Sequence, residues 1–122
     1  MRAFILVVER DLHTREVVID MCAALGHLAL GASTPFKGLR MLEMMVFQAM
    51  VISPGATLLG EPSYAVEAKK IQPKLKVIMT AAVELPDFLK SPIDAFIQKP
   101  FPLLLLKRTL TEIFIQGGPF GD

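Results

Sequence analysis

Four places in this chain set a charged or hydroxyl side chain at the end of a short apolar run. Glu9 and Arg10 follow Ile5-Leu6-Val7-Val8, and Ser53 with Pro54 follows Met50-Val51-Ile52. Thr80 closes Val77-Ile78-Met79, and Lys99 with Pro100 follows Ala95-Phe96-Ile97-Gln98. If each run is a buried strand of a parallel sheet, these groups meet in the crevice beyond the strands' carboxyl ends, where open α/β sheets bind ligands. Arg10, Thr80 and Lys99 converging there could hold a small anion or a phosphorylated metabolite. The same groups could instead close on themselves, with Glu9 satisfied by the two cations as an internal ion-pair network. An enzyme is the weakest reading, because no nucleophile, base and oxyanion donor converge.

The elements that must position these residues follow from hydrophobic period. Ala3–Val8 is a continuous β-rich apolar run, as expected of a strand covered on both faces. From Leu12 to Leu25, apolar Val17, Val18, Met21, Cys22 and Leu25 recur at helical spacing, and Gly26 suits the cap. Leu28–Ala32 is a second strand. Thr34 and Pro35 then open a helix to about Phe47, with Leu39, Leu42, Met45 and Val46 inward and Met44 outside the stripe. Ala49–Ser53 is a third strand, closed by Pro54. Ser63 is expected to cap a helix through Ile71, before a fourth strand at Lys76–Thr80 and a fifth at Asp94–Gln98. Pro86 and Pro92 allow only a short helix between those two. A last helix after Phe101-Pro102 runs to about Ile115, burying Leu103, Leu106, Leu110, Ile113 and Phe114. Five strands alternating with five helices predict a doubly wound parallel sheet with helices on both faces.

Placed on those elements, the motifs resemble the receiver domain of bacterial response regulators over essentially the whole chain. The resemblance is carried by Ile5-Leu6-Val7-Val8-Glu9-Arg10-Asp11 with Arg15-Glu16, by Ala24-Leu25-Gly26-His27, by Val77-Ile78-Met79-Thr80-Ala81 and by Lys99-Pro100-Phe101. It implies a flavodoxin-like (βα)5 fold with strand order 2-1-3-4-5. It also implies a site where a kinase histidine gives its phosphoryl group to an aspartate after the third strand, beside Mg²⁺ held by an acidic pair after the first. Thr80 and Lys99 match the residues that bind the phosphoryl oxygens. Phe96 matches an aromatic switch residue, and Lys99–Pro100 is expected to be cis.

The remaining parts depart from that pattern. The acidic pair is Glu9 and Arg10, and a guanidinium offers only donors, so Mg²⁺ binding is expected to be lost. The acceptor position falls on Ser53 or Pro54, neither a carboxylate, and Ser53 has no metal or base to make it a nucleophile. The expectation is a degenerate receiver that signals by protein association with a histidine kinase, another regulator or a second copy of itself. The flank of the fifth strand and the last helix are the expected surface.

Composition supports a single domain over 1–116 with a flexible tail at 117–122. Thirteen basic and twelve acidic residues in 122 give a net charge of +1, which offers no bulk attraction for nucleic acid or an anionic membrane. The first apolar run is too short for a signal peptide's core or a membrane span, so a cytoplasmic location is expected. The single cysteine, Cys22, reads as a small buried hydrophobe and excludes an internal disulfide. His13 lies near the crevice beside a helix start and His27 in the turn after Gly26, without metal-ligand spacing, and both are expected to be solvated.

Overall fold

Short apolar runs separated by amphipathic stretches favour strands covered by helices, and the chain arranges them as a parallel sheet whose central strands are buried. The computed structural model describes residues 2–53, 61–82 and 92–116. In order, the chain forms β1 (Phe4–Val8), α1 (Leu12–Ala24), β2 (Leu28–Ala32), α2 (Pro35–Met44), β3 (Ala49–Ile52), α3 (Glu61–Ile71), β4 (Lys76–Ala81), β5 (Ala95–Gln98) and α4 (Leu103–Gln116). All five strands join one sheet in the order β2-β1-β3-β4-β5, with every pairing parallel. The order reverses between β1 and β3, which opens a crevice beyond their carboxyl ends.

Alternation along β1 divides the core in two. Leu6 and Val8 join Leu42, Tyr64, Ala65, Ala68 and Leu75 under α2 and α3. Ile5 and Val7 join Val18, Cys22, Leu106, Leu110 and Ile113 under α1 and α4. Cys22 is fully buried, and loss of water pushes its thiol up to about 11, so it stays protonated and inert.

Several local expectations are corrected. α2 stops at Met44 rather than Phe47, because Met45 is already extended at φ −142°, ψ 149°. The side chain of Gln72 fastens this early end: its Nε2 donates to the carbonyls of Leu42 and Met45, and its Oε1 accepts from Phe47 N at 3.0 Å. Met45 and Val46 therefore lie exposed, while Phe47 turns into the core against the ring of Phe4 at 4.6 Å. Val17 and Leu103, expected inward, are exposed, since the faces of α1 and α4 that meet the sheet centre on Val18, Cys22, Leu106 and Leu110. α3 begins at Glu61, so Ser63 lies inside the helix rather than at its cap. The third strand ends at Ile52, and β2, part of a sheet expected to have helices on both faces, leaves Leu28 and Leu30 exposed because it is an edge strand. Among the described residues four helices accompany the strands. The short helix expected between Pro86 and Pro92 falls mostly, and the tail at 117–122 wholly, outside the described residues.

His27 also departs from expectation. Its Nδ1 accepts from Ala3 N at 2.9 Å and its ring meets Phe114 edge-on at 6.3 Å, so it closes the start of β1 rather than standing in solvent.

Candidate functional site

Where β1 ends, the chain makes a tight turn into α1. Asp11 caps that helix, its Oδ2 accepting from Thr14 N and Thr14 Oγ1, each at 2.8 Å. These two bonds hold the Asp11 carboxyl below its usual range. The Asp11 N–H in turn donates to Glu9 Oε2 at 3.1 Å, and Arg15 Nη1 donates to the Glu9 carbonyl at 2.8 Å. Glu9 is thus locked from both its side chain and its backbone, and it is buried although charged. Arg10 is exposed, with its carbonyl accepting from Arg15 Nη1 at 3.4 Å.

Lys99 enters the same crevice from β5. Its N–H donates to Ala81 O at 2.7 Å, extending the ladder one residue beyond the strand, and the Lys99–Pro100 peptide is cis. Its Nζ donates to Glu9 Oε1 at 2.8 Å and lies 3.4 Å from Ser53 Oγ. Ser53, buried just past β3, is placed by its own N–H on Val8 O at 3.2 Å. Thr80 is buried in β4 opposite Ile97, one register step from Phe96, which is half-buried against the core beneath α2 and α3. Pro54 lies outside the described residues.

The structure therefore brings Glu9, Ser53 and Lys99 together in direct contact, with Thr80 on the neighbouring strand. The ion pair expected for Glu9 is made by Lys99. Both carboxylate oxygens of Glu9 already accept a hydrogen bond, and the hydrogen-bond partner of the Ser53 hydroxyl is the Lys99 ammonium, which donates and cannot take its proton. The arrangement can clamp β1, β3 and β5 together electrostatically. Among the described residues no cluster of three or more His, Cys, Asp or Glu could hold a metal ion.

Sequence reasoning missed the positioning role of Arg15 and the cap at Asp11, although Asp11-x-x-Thr14 carries the spacing of a capped helix. It also missed a cleft of about 290 Å³ beside the site, lined by His13, Thr14, Val17, Lys99, Pro100 and Phe101 among others. The cleft forms because the β5–α4 turn lies alongside α1, a tertiary neighbour that no local signal announces.

No protein-family model and no curated protein matches the chain. Solved structures do. A CheY-like response regulator receiver domain from Methylobacillus flagellatus matches with a TM-score of 0.84 at 15% identity, covering 93% of this chain and 99% of that one. The receiver domain of a sensor histidine kinase from Pseudomonas aeruginosa, which holds a magnesium ion in its active-site cleft, matches with a TM-score of 0.80 at 20% identity, covering 92% and 97%. NtrX from Brucella abortus, solved with ATP, matches with a TM-score of 0.79 at 22% identity over 96% of this chain but only 28% of its own. Sheet order, crossover pattern and these matches agree: the chain has the CheY-like, flavodoxin-type α/β fold of response-regulator receiver domains.

Proposed function

We propose that this protein is a receiver-like signalling adaptor that acts by binding a protein partner and not through aspartyl phosphorylation. The observation that carries the reading is the occupation of Lys99 by Glu9 at 2.8 Å, which gives the cation an internal partner in place of a phosphoryl group. The sequence agrees, for no Asp or Glu occurs from Met44 to Gly60, the whole stretch around the end of β3. A resident Mg²⁺ does not fit this donor set: Glu9 is taken by Lys99 and Asp11 N, Arg10 contributes no side-chain acceptor, and Ser53 brings no charge.

The partner class is a histidine kinase, another regulator or a second copy, met in the cytoplasm, and no chemical step is assigned to the protein. A surface suited to a helical partner is the cleft between α1 and the β5–α4 turn, where exposed Val17 and His13 adjoin Pro100 and Phe101. The anion-binding reading loses its central cation to Glu9, and no observation favours it.

Amide NMR tests the proposal. Adding Mg²⁺ with beryllofluoride, a phosphoryl mimic, is expected to leave the resonances of Glu9, Ser53, Thr80 and Lys99 unmoved. Saturable shifts at those residues, lost in Lys99→Ala, would overturn it.

A further inference from the structure

We propose that β2 is a self-pairing edge, through which two copies of this chain join their sheets antiparallel about a two-fold axis at Leu30. Among the described residues β2 ends the sheet, with β1 on one side and no strand on the other. Its hydrogen bonding has a readable sense. The Leu28 N–H donates to Ala3 O and the Ala32 carbonyl accepts from Glu9 N, each at 3.0 Å. In a parallel ladder this means that Leu28, Leu30 and Ala32 turn both backbone groups toward β1, so Ala29 and Gly31 turn theirs outward. Those outward donors and acceptors have no strand to pair with among the described residues.

Charge and register together make a second copy the occupant. From Met21 to Phe36 the chain contains no Asp, Glu, Lys or Arg, so the strand and its flanking turns bring no acidic or basic side chain of their own to a two-fold axis through Leu30. Exposed edges are usually guarded by charge, proline or a bulge, and Leu28–Ala32 carries none of these. With Leu30 set against the partner's Leu30, Ala29 faces the partner's Gly31 and Gly31 the partner's Ala29. Both are narrow pairs that exchange two hydrogen bonds each in the antiparallel pattern. Every outward group of Ala29 and Gly31 is then satisfied by the same strand of the other copy. Leu28 and Leu30, exposed at 49% and 38%, share one face by strand alternation. Leu30 meets its counterpart at the axis, and Leu28 lies opposite the partner's Ala32 and diagonal to the partner's Leu30.

β2 and β5 occupy opposite edges of the sheet, so the pairing strand is not the one that carries Lys99. The pairing uses a single five-residue edge strand, so the dimer is expected to be weak and dependent on concentration.

Sedimentation velocity on the full chain, from about 1 µM to about 1 mM, tests the proposal. The expected result is a monomer–dimer equilibrium weakened at least tenfold by Leu30→Lys, which sets two cations at the axis. Ala29→Pro, which removes an outward N–H that β1 does not use, has the same effect. Leu104→Lys on α4 leaves it unchanged. In the unsubstituted protein, amide exchange at Ala29 and Gly31 slows as concentration rises. A monomer at every concentration, exchange at those two amides independent of concentration, or a dimer dissolved by Leu104→Lys but not by Leu30→Lys would overturn it.

Discussion

The Nζ of Lys99 donates to Oε1 of Glu9 at 2.8 Å, and so ties the end of β5 to the end of β1 across 90 residues of chain. The carboxylate side chain is 10% exposed and the lysine 25%, so neither charge is free to recover full hydration if its partner is lost.

Breaking a fully buried pair costs about 3–5 kcal/mol, and the partial exposure of Lys99 tempers that. Lys99→Met and Glu9→Gln are each expected to lower unfolding free energy by about 1–3 kcal/mol. The double substitution costs less than the sum, with a coupling of about 1 kcal/mol or more in urea denaturation. Strictly additive losses would show that the two residues touch without stabilising each other.

His27 supplies a pH dependence. Its Nδ1 must be unprotonated to accept from Ala3 N, and burial lowers its pKa below 6.5. A group whose folded value lies below its unfolded one contributes stability that is whole above pH 6.5 and is lost as pH falls through the folded value. The protein should therefore unfold at lower urea at pH 5.5 than at pH 7.5. His27→Gln, which keeps an acceptor and does not titrate, should flatten that difference; an unchanged slope would assign it to another group.

Gln72 is expected to be sensitive out of proportion to its position after a helix. One side-chain amide satisfies backbone groups of Leu42, Met45 and Phe47. Gln72→Ala should cost about 1–3 kcal/mol and speed hydrogen exchange at the Phe47 amide while β1 stays protected. Unchanged exchange at Phe47 would remove Gln72 from the role.

Gly38 sets two effects against each other. Alanine gains about 1 kcal/mol in helix propensity, yet its Cβ would meet Tyr64 Oη at 2.6 Å and Val8 Cγ2 at 2.9 Å. Overpacking of that kind costs about 1–3 kcal/mol, and the Tyr64 hydroxyl is held in place because it donates to Pro35 O at 2.7 Å. Gly38→Ala should destabilise, and Tyr64→Phe should rescue part of the loss in a thermal melt. No rescue would place the conflict at Val8 alone.

Much of the fold was legible because strands covered on both faces leave unbroken apolar runs, and Ile5–Val8, Met50–Ile52 and Val77–Met79 are such runs. The positions of Glu9, Ser53, Thr80 and Lys99 were legible for the same reason, since a strand's end is visible where polarity returns. The end of α2 was not. Leu42, Met45 and Val46 continue a helical period, and only a side chain from residue 72 shows that the helix is capped at Met44. The exposure of Leu28 and Leu30 was equally hidden, because an edge strand and a central strand can carry the same composition.

By itself the sequence determined the parallel α/β class, the strand boundaries to within a residue or two, and the chemical inventory at the strand ends, for all of these follow from local polarity and period. Tertiary structure alone decided which charges meet. Glu9 finds Lys99 at 2.8 Å because the sheet topology sets the ends of β1 and β5 around a common crevice, whereas its bond to Asp11 N is local, two residues along the chain. Local sequence names the groups, but it carries no measure of the distance between them.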